Sequence, residues 1–555
     1  MHLHRLRVLT PAAAILLLVL SATVLGAQLE APITYQVAFP TLATHTLYVT
    51  AQVPTDDRPA VEMMMATWTP GQFQAERYSK KVDSVMARSP LGVPLRVQRT
   101  RANRWLVETA GLPSFTLTYR VRADVHSPDG NWVGDSLIVL NGAPTFMTIV
   151  GGSARYAVVD LSLPPGWTSY TSLDSAQDAV PNHYQAANYD ELVDSPIVAG
   201  RLQPVRFVMD GRMHVLVDAG AVGDFSGEQA GRALVRLVAQ GRHFWGALPY
   251  HRYVFLNLFR PGAGDMSHAS SMVVTTSAAR AAQADGFDQW LTTVTRQYFQ
   301  SWNGKRLRPV ELGPFDYENP PRTTGLWITE GLSTYYAHLL MTRAGFTRPS
   351  DWLAHMSALI ADLQSSPGRA AQTLATSSLD AWHTDSASRN IAPRATVNYR
   401  TKGAVVAMLL DAHIRALTGD SANLDDVMRR AYAEYSGAQG YTREQFQAVA
   451  DTVARTDLAD WFHQALDSTS ELDYTEMLAW YGLTFPPASG RQQRWTLAPV
   501  DTATPEQDAH LKSVMRIDLA RPGQARIPGL TPAPPSAARS PRPSARRDAR
   551  PGSGH

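Results

Sequence analysis

An α+β fold, strand-rich in its first third and helical toward its end, is what the order of patterns along the 555 residues predicts. Three observations lead there. Between Gln28 and Gly200, apolar residues alternate with polar ones in short runs separated by Pro- and Gly-containing turns. From Pro204 a strand-like run, a helix near Gln229–Leu248 and a very apolar strand Tyr253–Phe259 succeed one another. Beyond Asp288 the apolar residues recur at helical spacing almost to Leu483.

The N-terminal strands are the clearest. Ile33, Tyr35, Val37 and Phe39 alternate, as do Leu47, Val49, Ala51 and Val53, and later Phe115, Leu117, Tyr119, Val121 and Ala123. Turns at Pro70-Gly71, Pro128-Asp129-Gly130 and Pro164-Pro165-Gly166 part them, the pattern of a β-sandwich-like domain over 28–203. Phe207–Val217 then reads as one strand, and Gly262–Ser271 as a loop after the apolar strand. The stretch from Asp288 to Gly345 reads as two helices joined by a Pro-rich loop. Trp290, Val294, Tyr298 and Trp302 share one face of the first, and Arg296 and Gln300, four apart, share another. Helices are predicted at Trp352–Leu363, Ala404–Leu417, Leu424–Tyr435, after the capping-box pattern Thr442–Gln445, and at Leu458–Leu466 and Tyr474–Tyr481. Residues 486–555 are expected to form a mostly disordered tail, since Thr531–His555 holds no large apolar residue to bury.

Length suffices for about two to four domains. The chain is 44% hydrophobic and 18% charged with a net charge of +2, so no strong field argues for nucleic acid. The absence of cysteine excludes disulfides, thiolate metal sites and a cysteine nucleophile. His2, His4, Arg5 and Arg7 precede the apolar run Ala12–Leu20 and the small residues Ser21, Ala22, Gly26 and Ala27. That layout predicts a signal peptide over 1–27 and a periplasmic or secreted protein, an uncleaved anchor being the alternative, with no other membrane span.

The central stretch carries Tyr298, Phe299, Trp302, Asn303, Lys305, Arg306, Arg308 and Pro309, then Pro314–Tyr317, then Leu326, Trp327, Glu330, Gly331, Tyr335 and Tyr336. In this it resembles the glycyl aminopeptidase family of zinc metallopeptidases, family sixty-one of the gluzincin clan, which writes H-E-Y-F-H-x-W-N, K-R-x-R-P, P-F-D-Y and L-W-x-x-E-G-x-x-x-Y-Y. The resemblance implies a thermolysin-like (gluzincin) domain over 204–485, a small sheet plus a helical lobe. Too few residues follow for the PDZ domain the family commonly carries. Trp68-Thr69-Pro70-Gly71 resembles the family's W-x-P-G and reads as a structural turn.

The resemblance also shows what is missing. Arg296, Gln297 and Gln300 stand where the family has its His, Glu and His, and only Glu330, the position of its third ligand, is retained. Ser267 takes the place of the Glu that receives the substrate amine in G-G-L-E-H-x-x-S, while His268 and Ser271 remain. Arg400 occupies the position of the oxyanion-stabilising Tyr in Y-Y-x-K-G, with Tyr399 one residue earlier. His268, Ser271 and Tyr399 are candidate cleft residues, against a structural role for each. Arginine has no lone pair to donate, and a glutamine amide is a feeble zinc ligand and no base. The expectation is therefore a non-catalytic exported protein with no cofactor, binding peptides or an exported partner in the old cleft. The rival is an active metallo-aminopeptidase whose zinc is held by Glu330 with His268, His338 or His383, and a third reading gives the function to the β-domain. Arg296 is expected either to pair with Glu330 in the metal's place or to reach solvent.

Overall fold

The computed structural model describes residues 30–516 apart from 73, 74, 177, 179, 384–395 and 488–494. The expected signal peptide and Thr531–His555 lie outside the described residues.

Among the described residues the N-terminal alternation builds an eight-stranded sheet and two four-stranded ones. Ile33–Ala38 runs parallel to Ala157–Ser162 and antiparallel to Thr46–Pro54 in the large sheet. The period of two then decides which way each side chain faces. Tyr35, Val37, Leu47 and Val49 share one core with Val61 and Met63 of one small sheet and with Ile138 and Leu140 of the other. The intervening residues Leu137 and Val139, with Val198, pack instead against Val217, Leu256, Leu258 and Val273 of the second domain. A sheet buried on both faces thus joins the two domains through a shared apolar layer.

The second domain opens on a hairpin, not on the single strand expected over Phe207–Val217. Val205–Met209 and Arg212–Gly220 pair antiparallel across Asp210-Gly211. Both turn residues have positive φ, 49° and 71°, the conformation an Asp-Gly pair is suited to and the one that suits strand twist. Arg212–Gly220, Arg252–Phe259 and Ser271–Thr276 are parallel neighbours. The expected loop Gly262–Ser271 also holds a strand, Gly264–Ser267, which pairs antiparallel with Ser271–Thr276 and forms the sheet's edge.

The helix Ala284–Gln300 buries Trp290, Val294 and Tyr298, and Trp302 is buried just past its end. In the loop that follows, Phe315 and Tyr317 pack on Trp68 with ring centroids 5.7 and 6.0 Å away. Trp68 donates its indole N–H to the Asp316 carbonyl at 2.7 Å, and the Tyr317 hydroxyl donates to Asp190 at 2.8 Å. The P-F-D-Y run is therefore a clasp between domains. Trp327–Leu332 forms a wide π turn that leads into the helix Ser333–Arg343.

The helix expected from Ala404 begins five residues earlier, spanning Tyr399–Thr418, because Asn398 caps it through its side-chain oxygen. Leu424–Tyr435 and Arg443–Ala454, capped by Thr442, follow as predicted. Order does not stop near 486. Leu483–Thr484 pairs with Ala498–Pro499, and a further helix Pro505–Val514 is capped by Thr504 and Gln507. Leu511 and Val514 are buried, and Arg343 Nε donates to the Val514 carbonyl at 2.9 Å. Few apolar residues mark this segment in the sequence, but those few dock on a surface already formed.

Leu256 is fully buried in the layer the domains share. Leu256→Ala is expected to cost about 2–5 kcal/mol, and chemical denaturation followed by fluorescence and by circular dichroism should still give coincident transitions.

Candidate functional site

Three elements converge on one cleft: the edge strand Gly264–Ser267, the last turn of the helix Ala284–Gln300, and the π turn at Trp327–Leu332 with the helix Tyr399–Thr418 beside it. Two features of the sequence set their approach. Asn303 donates its side-chain amide to the Ile328 carbonyl at 2.8 Å and to Ser333 Oγ at 3.1 Å, so it ties the end of the first helix to the π turn. Gly331 and Gly403 then let two helices touch backbone to backbone: a Cβ on Gly331 would lie 2.7 Å from the Gly403 Cα. That contact brings Arg400, at the second position of its helix, onto Glu330.

Glu330 is buried, and both its oxygens are engaged. Gln300 Nε2 donates to Oε1 at 2.9 Å and Arg400 Nε donates to Oε2 at 2.8 Å. Arg296 Nη1 stands 3.7 Å from the same Oε2, but its hydrogen bond goes elsewhere, from Nη2 to Asp265 Oδ1 at 2.6 Å. Gln297 Nε2 donates to that Asp265 oxygen as well, at 2.5 Å. Two guanidinium groups and two carboxylates therefore balance inside a cleft of about 360 Å³, lined also by Gly71, Gln72 and Ser267. Beside it a small recess of about 30 Å³ lies among Trp68, Phe315, Leu312, Gln300 and Glu330. The charge of Glu330 holds the Arg400 guanidinium well above its ordinary pKa, and burial pushes the Tyr399 phenol up to about 12.

A second ionic group supports the wall. Lys305 Nζ donates to Asp194 Oδ1 at 2.8 Å and to the Pro70 carbonyl at 2.9 Å, and the Ala269 N–H donates to Asp194 Oδ2 at 2.6 Å. His268 Nδ1 lies 3.1 Å from Asp194 Oδ1. Burial raises the Asp194 pKa, yet Lys305 and then His268 outweigh it and leave the carboxyl well below its usual range. Burial also depresses the His268 pKa, against the opposing pull of Asp194.

The structure thus sorts the residues singled out from the sequence. Arg296, Gln297, Gln300, Glu330, Arg400 and Ser267 all line the cleft. Arg296 reaches Glu330 at 3.7 Å, the first of the two expected outcomes, and Arg400, which no signal in the sequence pairs with Glu330, lies closer at 2.8 Å. His268 and Ser271 are fully buried and absent from the cleft wall, the first held by Asp194 and the second within a strand. Tyr399 packs toward Leu312, Leu326 and Ala381 behind Arg400. The W-x-P-G turn, read as structure alone, supplies Gly71 to the cleft and Pro70 to Lys305. Sequence reasoning passed over Asp265, although strand alternation puts it on the same face as Ser267, two residues on.

Two family models of one family match the chain: the peptidase M61 N-terminal domain over residues 34–201 and the M61 glycyl aminopeptidase domain over 289–406, together just over half of its length. The chain belongs to the glycyl aminopeptidase family. Among solved structures it is similar to an aminopeptidase N family protein from Idiomarina loihiensis, with TM-score 0.76 and 24% identity over 81% of this chain and 78% of that one. It is also similar to an M1 zinc metallopeptidase from Deinococcus radiodurans, solved as a mutant bound to a Tyr-Ser-Ala substrate, with TM-score 0.51 and 14% identity over 80% and 94%. These likenesses show the fold. No curated protein matches significantly.

The family's zinc does not fit the residues present. A four-coordinate site needs lone-pair donors with an open position, and here the helix offers a guanidinium and two amides, while Glu330 already accepts from Gln300 and from the Arg400 cation. Of the histidines considered as substitutes, His268 is held by Asp194, His338 stacks on His355 with centroids 4.1 Å apart, and the side chain of His383 lies outside the described residues. Among the described residues no three His, Cys, Asp or Glu side chains are grouped to hold a metal ion.

A carboxyl whose folded pKa is depressed contributes stability above its unfolded pKa and loses it as pH falls through the folded value. Asp194→Asn is expected to cost about 3 kcal/mol at pH 7 by leaving Lys305 unpaired. The gap between wild type and variant should close as pH drops below about 4, as read from denaturation midpoints across that range.

Proposed function

We propose that this member of the glycyl aminopeptidase family is a non-catalytic exported protein, periplasmic or secreted, that binds peptides or an exported partner through the remnant cleft. The observation that carries the reading is the engagement of Glu330 by Gln300 and Arg400, because it puts an amide and a cation where a metal would need lone-pair donors, while the other carboxylate of the cleft, Asp265, is held by Arg296 and Gln297. Gln297, at the position of the family's general base, accepts no proton at neutral pH. Losses at the ligand, base, amine-site and oxyanion positions fall on separate segments and share one consequence, the end of the original chemistry. The charged and apolar layout of residues 1–27 supports export. Among the described residues no helix is long and apolar enough to cross a membrane.

Purified protein is expected to carry no stoichiometric zinc and to release no N-terminal glycine from peptides. Elemental analysis near one zinc per chain, with chelator-sensitive hydrolysis, would overturn the reading. Restoring Arg296→His, Gln297→Glu and Gln300→His together is expected to give weak zinc uptake while Arg400 still occupies Glu330. Adding Arg400→Tyr should tighten uptake by at least about tenfold, measured by competition with a chelating dye.

A further inference from the structure

Each oxygen of Glu330 accepts one hydrogen bond, and two other groups of the cleft keep capacity of a kind that points to a ligand. Arg400 uses only Nε. Among the described residues Nη1 and Nη2 make no hydrogen bond, and the side chain is 46% exposed, so the outer edge of its guanidinium presents a planar fork to the cleft. Gln297 is buried and its amide orientation is fixed, since Nε2 must face the Asp265 carboxylate. Its Oε1 is then a buried acceptor with no partner among the described residues. A ligand that completes both must bring an acceptor pair to the fork and an N–H to the amide oxygen.

We propose that the cleft binds the C-terminal end of a peptide, the terminal carboxylate accepting from Arg400 Nη1 and Nη2 and a neighbouring backbone N–H donating to Gln297 Oε1. The assignment rests on the non-catalytic reading above and supplies its ligand class. Charge does not oppose it. The negative charges of Glu330 and Asp265 are matched by Arg400 and Arg296, so an incoming carboxylate meets a balanced cluster with an open fork. The edge strand Gly264–Ser267, unpaired on one side, offers main-chain groups to an extended chain.

The test is calorimetric titration of the full chain with N-acetylated tetra-alanine, as the free acid and as the C-terminal amide, with acetate as competitor. The acid should bind at least about tenfold more tightly than the amide and be displaced by millimolar acetate. Arg400→Lys, which keeps the charge and loses the fork, should abolish that preference while its thermal midpoint stays close to wild type. Equal affinity for the two peptides, no binding of the acid at millimolar concentration, or a preference that survives Arg400→Lys overturns the proposal. Tighter binding of an unacetylated, amidated peptide also overturns it, since the cleft would then read the amine. Hydrolysis of a glycyl peptide in the same samples would instead overturn the non-catalytic reading.

Discussion

Glu330 lies almost wholly out of water, and the ion pair it makes with Arg400 is the constraint on which the interior of the cleft depends. An unpaired carboxylate there would either take up a proton or destabilise the fold by several kcal/mol. The pair exists only because two helices touch through Gly331 and Gly403, with no side chain between them. Asn303 braces that contact by binding the Ile328 carbonyl in the wide π turn, where the regular helical bonding pattern is interrupted.

The residues that match the motif quoted from the resemblance and those that differ from it fall into two physical groups. Most of the matching ones hold the frame. Arg306 donates to the Ala269, Ser301 and Pro249 carbonyls, Lys305 joins Asp194 to Pro70, Trp302 stacks on Trp245, and Phe315 and Tyr317 clasp Trp68. The differing ones face the cleft. Side chains at those positions answer one another: a cation at 400 meets Glu330, and a cation at 296 meets Asp265. The cleft is re-paired, and it keeps an open volume.

The strand alternation of the first domain and the capped helices of the lobe were legible from periodicity and caps. Less legible were features whose signal is short or distant. Asp210-Gly211 is a two-residue turn inside an apolar run, and Asp265 shares a face with Ser267 only once that stretch is known to be a strand. The Pro505–Val514 helix has few apolar residues, which count because a surface is waiting for them. The clasp at Phe315 and Tyr317 joins residues some 250 positions apart, beyond the reach of any local pattern.

By itself the sequence determined which chemical types line the helix end: a guanidinium and two amides cannot donate as two imidazoles and a carboxylate do, whatever the fold around them. It also determined the alternation of strand-rich and helical regions, since a side chain's period follows from backbone geometry alone. Tertiary structure decided the pairing. That Arg400 and not Arg296 is the closer partner of Glu330, and that Asp265 takes Arg296, depends on how three elements approach one another, and ion pairing is settled by distances of a few ångströms that no linear spacing encodes.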